Sequence, residues 1–159
     1  MSKLNSQRFL ERHGIAYETR TYTYDPEHPP DATAVAEQIG LPPGQVFKTL
    51  VIGGAAHGRP LLAMLPADRQ LDLKRLAVAA GQKRLELLPR AETERLTGLK
   101  VGGIGALALV AKGWQCYLDR AADQYATIYV NAGQRGVMLG VPVAGLQRVL
   151  GAILVDVSG

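Results

Sequence analysis

The hydrophobic positions of this chain fall in short stretches whose period changes repeatedly between that of a helix and that of a strand. Residues 2–13 are polar apart from Leu4, Phe9 and Leu10, and Gly14 follows where a left-handed terminator belongs, which predicts a short helix. Residues 15–23 alternate, with Ile15, Tyr17, Thr19 and Thr21 on one side and Glu18, Arg20 and Tyr22 on the other, the pattern of a half-buried strand. The segment Asp25-Pro-Glu-His-Pro-Pro30 is a loop, because its prolines remove donors and restrict their neighbours. Asp31 or Thr33 caps a helix that runs to Ile39 and is closed by Gly40.

Residues 46–52 are rich in β-formers and end at Gly53-Gly54, so that with 61–65 they predict a hairpin with a longer loop. Asp72 caps a helix over 73–80 that stops at Gly81; residues 84–88 predict a strand and 91–96 a helix stopped by Gly98. Further strands are expected at 115–118, 126–130, 137–139 and 153–157, with a helix over 143–150. Helices inserted at such irregular intervals do not give the rhythm of a doubly wound sheet. The expectation is an α/β (α+β) fold in which a mixed, curved, barrel-like sheet is surrounded by helices, with residues 1–159 forming one domain.

Composition narrows the picture further. At 159 residues, 47% hydrophobic and 20% charged, the chain is neither disordered, collagen-like nor a coiled coil, and roughly 70% of its unfolded surface can be buried. A net charge of +4 favours a polyanionic partner mildly. The one cysteine, Cys116, can build neither a disulfide framework nor a cysteine-rich metal site, which points to a reducing compartment. The amino terminus lacks the apolar run of a signal peptide, and the most apolar stretch, 101–111, is too short for a bilayer, so a cytoplasmic protein without membrane contact is expected.

Lys48 shares a strand face with Leu50 and Ile52, which lays its stem on apolar surface and sends its ammonium toward an opening, either as a snorkelling edge lysine or as a cation aimed into a cleft. Gly102-Gly103-Ile104-Gly105 permits close backbone approach, as a sheet corner or as a cradle for an anion or oxyanion. Residues 103–108 also match G-x-G-x-x-A, but Gly113 cuts off the helix that a dinucleotide site needs. His13, His28 and His57 lack metal-ligand spacing, so neither metal nor cofactor is expected. Cys116 reads as a small buried hydrophobe, and outside the amino-terminal segment the single serine, Ser158, leaves no room for a Ser-His-Asp hydrolase.

Thr21-Tyr22, the strand Gln45-Val-Phe-Lys48-Thr49-Leu50, Gln70-Leu-Asp-Leu-Lys74, Thr97-Gly98-x-x-Val101-Gly102-Gly103-Ile104 and Ala126-Thr-Ile-Tyr-Val130 followed by Gly133-x-Arg135-Gly136 occur in one order. In these motifs the chain resembles the YbaK/EbsC family of aminoacyl-tRNA deacylases over nearly its whole length, and most of all the Cys-tRNA(Pro) deacylase branch. The resemblance implies hydrolysis in trans of a mischarged aminoacyl-tRNA, with aminoacyl-tRNA and prolyl-tRNA synthetase as partners and the substrate's own thiol as nucleophile. It implies that Lys48 contacts the terminal nucleotide or the carbonyl, that Gly103 lies beside the ester where a side chain would block it, and that Tyr22 and Thr49 hold the adenosine end. Gly102, Asn131 and Arg135 complete the implied substrate-binding set; by residue type, Lys74, Lys83, Arg84 and Arg135 read either as phosphate contacts for the tRNA body or as solvated surface charges.

The chain departs from the family where Ser-Pro-x-Gly gives way to Gly105-Ala106-Leu107-Ala108, where a serine becomes Asn131, and where an aspartate becomes Met138. These changes leave two alternatives beside cysteine removal: another misacylated substrate such as Ala-tRNA(Pro), or a noncatalytic tRNA- or synthetase-binding module. The oligomeric state is left open.

Overall fold

The computed structural model describes residues 2–159. In chain order its elements are α1 (Asn5–Arg12), β1 (Glu18–Thr21), α2 (Ala32–Gln38), β2 (Val46–Gly53), β3 (Leu61–Pro66), α3 (Leu73–Ala80), β4 (Glu86–Leu87), α4 (Arg90–Thr97), β5 (Cys116–Asp119), β6 (Thr127–Asn131), β7 (Val137–Pro142), α5 (Val143–Leu150) and β8 (Ile153–Val155). Local chemistry sets the helix ends. The Asp31 carboxylate accepts from Ala34 N at 2.9 Å, and that of Asp72 from Lys74 N and Arg75 N, both at 3.1 Å. Gly81, Gly98 and Gly151 take left-handed conformations that end α3, α4 and α5.

The strands form one mixed sheet in the order β1-β7-β6-β2-β3-β5-β8, with β4 attached to β2. Pairs β1 with β7, β6 with β7 and β2 with β3 are antiparallel, whereas β2 with β6, β3 with β5 and β5 with β8 are parallel. The sheet is open, β1 and β8 being its edges.

The largest differences in extent from expectation fall on three strands, while β8 ends at Val155, two residues short of the 153–157 expected. The one expected over 15–23 pairs only across Glu18–Thr21, because Ile15 N bonds back to Leu10 O at the end of α1. The one expected over 84–88 shrinks to Glu86–Leu87, held only against the end of β2. Conversely, β7 continues beyond Leu139 through Gly140, which is a packing site and not a terminator: a Cβ there would strike the ring of Tyr129 across the ladder.

Side chains on one face of the sheet, including Phe47, Val51, Met64, Leu118, Val130 and Leu139, pack with α1, α5 and the turns after Gly105. The other face carries two separate clusters. Val46, Tyr129 and Met138 pack under α2, while Ile52, Ala63 and Tyr117 pack under α3. Among the described residues no helix is long and apolar enough to cross a membrane.

Asp119 closes the β5 end of the sheet. It is 2% exposed, and its carboxylate accepts from Val157 N at 2.9 Å and Ala121 N at 3.1 Å. Asp119→Ala strands both donors and should cost about 2–3 kcal/mol of unfolding free energy, read from urea denaturation, whereas a loss below about 0.5 kcal/mol would show that neither bond matters.

Candidate active site

β6 is in register only with Val46 and Phe47 of β2, and β4 only with Ile52 and Gly53. Between them residues 48–51 face no strand on that edge. Val46 O points toward β3, where it accepts from Ala67 N at 2.7 Å, and Val51 O points the other way, accepting from Leu88 N at 3.4 Å. Strand alternation therefore aims the peptide N–H and C=O of Thr49 into the opening.

A cleft of about 460 Å³ occupies this slot. Lys48 and Leu50 reach it from one sheet face, Thr49 and Val51 from the other, so the slot passes beside β2 through the sheet. Its charged lining residues are Lys48 and Arg90, and no carboxylate lines it.

The Lys48 stem lies at the division between the α2 and α3 clusters. Its ammonium donates to Arg69 O at 2.6 Å and Ala67 O at 3.3 Å, which leaves one of three donors without a partner among the described residues. Desolvation lowers its pKa from the usual lysine value, an effect opposed by Asp31 and Asp68. Thr49 is 8% exposed, and its hydroxyl has no hydrogen-bond partner among the described residues.

The glycine loop forms the opposite wall. Gly102 O accepts from Asn131 Nδ2 at 3.1 Å and from the Tyr22 hydroxyl at 3.2 Å, and burial raises the Tyr22 phenol above its usual pKa, keeping it a donor. Asn131 Oδ1 meanwhile accepts from Gly133 N at 2.7 Å and Gln134 N at 3.0 Å. Asn131 thus spans two loops, which a serine is too short to do. Val101 is held at both ends: its N–H donates to Glu94 Oε2 at 2.8 Å and its carbonyl accepts from Arg135 Nε at 2.9 Å. The Arg135 guanidinium lies 4.4 Å from the centre of the Tyr24 ring. Gly102 has φ +94°, and a Cβ on it would lie 2.5 Å from Tyr24 Cε2. Tyr24 and Tyr22 are anchored through Thr23, whose N–H donates to Gln38 Oε1 at 2.9 Å while its carbonyl accepts from Gln38 Nε2 at 3.2 Å.

Of the residues singled out in the sequence, Lys48, Tyr22, Thr49, Gly102 and Asn131 line the cleft. Gly103 and Arg135 lie behind it. A Cβ at Gly103 would meet Arg135 N at 2.8 Å, so the backbone of residues 134–135 by itself requires glycine there. Gly105 is similarly confined, since a Cβ would collide with Asn131 O. Met138 is 4% exposed and joins the α2 cluster with Val35 and Val46, presenting an apolar surface to the cleft.

Tyr24, Arg90 and Glu94 escape the sequence reading. The Tyr22-x-Tyr24 spacing and the Arg90–Glu94 i,i+4 pair (3.6 Å) were the available signals. Cys116 is 2% exposed, with its thiol pushed up to about 12 by burial. After Gly105 the chain forms 3-10 turns at Ala106–Ala108 and Val110–Lys112, not the helix of a dinucleotide site. Asp25, Glu27 and His28 bring three potential ligand atoms within 4.8 Å, but all are exposed, and Glu27 N bonding to Asp25 Oδ1 accounts for the grouping as a turn.

Comparison with known proteins agrees with this architecture. The family model described as the aminoacyl-tRNA editing domain matches residues 27–149. EbsC of Enterococcus faecalis, provisionally named a Cys-tRNA(Pro)/Cys-tRNA(Cys) deacylase, is 37% identical over 137 residues, 86% of this chain and 82% of its own. ProXp-y of Escherichia coli (strain K12), named a multifunctional Ser/Thr-tRNA deacylase, is 41% identical over 73 residues, 45% of this chain and 44% of its own. A solved structure described as a candidate trans-editing enzyme for prolyl tRNA synthetase shares the fold, with a TM-score of 0.77 at 21% identity, covering 100% of this chain and 99% of its own.

Two outcomes follow from the loop geometry. Gly103→Ala should lower stability by about 1–3 kcal/mol by displacing residues 134–135, and an unchanged urea midpoint would refute that packing. The Val101 N–H bond, followed by Arg90, lowers the Glu94 pKa. Its stabilisation is complete above the unfolded carboxyl value of about 4.3 and is lost as pH falls through the lower native value. Glu94→Gln should therefore flatten the stability profile below about pH 5, and a profile as steep as that of the parent would count against this bond.

Proposed function

The chain belongs to the aminoacyl-tRNA editing family, and on that premise we propose that it hydrolyses mischarged aminoacyl-tRNA in trans, with Cys-tRNA(Pro) as its substrate. The observation that carries this reading is the cleft itself: two cations, no carboxylate, and the peptide N–H and C=O of Thr49 opened to a ligand. Such a site suits the end of a polyanion that carries an ester. Lys48 uses its free donor on the terminal nucleotide or the ester carbonyl, and Thr49 and Tyr22 hold the adenosine end. The N–H groups of Gly102 and Ile104, which have no acceptor among the described residues, receive the charge that develops on the carbonyl oxygen.

The lining hydroxyls of Tyr22, Tyr24, Thr49 and Thr93 are accompanied by no lining His, Asp or Glu that could take their proton, which supports a nucleophile not supplied by the protein and, on cysteine, the substrate's own thiol. The cysteinyl sulfur attacks its own ester carbonyl, the bond to the ribose oxygen breaks, and the thiol proton goes to that oxygen. Free tRNA leaves with a four-membered thiolactone, which water opens to cysteine. The protein contributes proximity and electrostatic stabilisation. Met138 favours a second reading, removal of alanine, because it supplies an apolar wall where the resemblance predicts a carboxylate. Selection of tRNA(Pro) is assigned to a complex with prolyl-tRNA synthetase.

The test is single-turnover deacylation of tRNA(Pro) carrying cysteine, 2-aminobutyrate, alanine or proline. Cysteine should be lost at least about a hundredfold faster than its thiol-free isostere, and Lys48→Ala should reduce that rate by a similar factor. Equal loss of cysteine and 2-aminobutyrate would eliminate thiol attack, and preferential loss of alanine would establish the second reading. Retention of every ester at stoichiometric protein would end the enzymatic proposal.

A further inference from the structure

The glycine loop is supported from behind by two side chains that do not belong to the lining. Glu94 projects from α4 and accepts the Val101 N–H at 2.8 Å; Arg135, from the turn before β7, donates Nε to the Val101 carbonyl at 2.9 Å. One residue is therefore gripped at both of its peptide groups from two directions. The next peptide is fixed too, since Gly102 O accepts from Tyr22 and Asn131 and Gly103 N donates to Lys100 O at 2.7 Å. Val101 O is drawn to Arg135, outside the lining, so the Gly102 N–H across the same trans peptide is turned the other way, and Gly102 N and Ile104 N are donors of this wall with no acceptor among the described residues.

We propose that Glu94 and Arg135 are positioning residues for deacylation, which fix the aim of the Gly102 and Ile104 amides by clamping Val101 between them. This rests on the reading above that those amides receive the ester oxygen. A glycine-rich loop has many conformations available, and a donor displaced by an ångström loses most of its value to a developing oxyanion. Arg135 is held on its other side by Tyr24, its guanidinium lying over that ring, which in turn fills the space beside Gly102. Glu94 also faces Arg90 at 3.6 Å, so its carboxylate connects a cation of the cleft wall to the loop.

Steady-state kinetics on Cys-tRNA(Pro) and amide hydrogen exchange test the clamp together. Glu94→Ala should lower kcat by about tenfold to a hundredfold with KM within about twofold of the parent, the signature of an interaction expressed in the transition state. Glu94→Gln, whose amide oxygen accepts the same N–H, should recover kcat to within about threefold. Arg135→Lys retains the charge without the fixed Nε donor and should resemble Glu94→Ala. Exchange at residues 101–104 should accelerate in Glu94→Ala and not in Glu94→Gln. Parental kcat in Glu94→Ala, equal impairment of the Ala and Gln variants, or a rise in KM alone would overturn the proposal. If the parent protein deacylates nothing, the reading of the amides fails; unchanged exchange in Glu94→Ala removes the clamp whatever the activity.

Discussion

Because β6 ends its pairing beside Phe47 and β4 begins beside Ile52, residues 48–51 of β2 lie at a sheet interior with no strand on one edge, and the peptide groups of Thr49 point into the gap. Peptide groups in such a place are stable only if something polar meets them, since an unsatisfied buried donor or acceptor costs about 1–3 kcal/mol. The slot must therefore stay wet or receive a ligand that has hydrogen-bonding groups of its own. An aminoacyl ester, with a carbonyl, an amine and a neighbouring ribose hydroxyl, is such a ligand. The feature that weakens the sheet locally is the one that leaves it open to such a ligand.

The second consequence of the same arrangement is the placement of a cation. The sheet face under α2 and α3 carries two apolar clusters where a single continuous core would have excluded an ammonium. Lys48 lies at their division, its stem packed and its head held by the carbonyls of Ala67 and Arg69. Those carbonyls orient the amine without neutralising it, as a carboxylate would. Substitution of the carboxylate expected by resemblance with Met138 is in keeping with this: the cleft retains its positive sign, and the methionine is used to seal α2 onto the sheet.

Local signals in the sequence were reliable where a few adjacent atoms decide the outcome. Asp31, Asp72, Gly81 and Gly98 mark helix ends because capping and left-handed turns involve neighbouring residues only. Strand lengths were less legible, since they depend on a partner far along the chain; Gly140 looks like a stop until the Tyr129 ring is placed against it. The same limit applies to the site. Lys48 and Gly102 stand out through strand period and ordered motifs, whereas Glu94 and Tyr24 act through contacts with Val101, Gly102 and Arg135 that no periodicity encodes. Gly103 shows the two levels apart: the residue type was legible, but the physical demand behind it, the proximity of residues 134–135, was not.

The reciprocal pair between Gln38 and Thr23 reproduces with one side-chain amide the two bonds that a neighbouring strand would make. Tyr22 and Tyr24 consequently belong mechanically to α2 as much as to the strand that precedes them. A small tilt of that helix would carry both rings together, change the bore of the passage and, through the Tyr22 bond to Gly102 O and the packing of Tyr24 beside Gly102, bear on the glycine loop as well. The width of the passage and the set of the glycine loop are thus both coupled to the packing of a seven-residue helix.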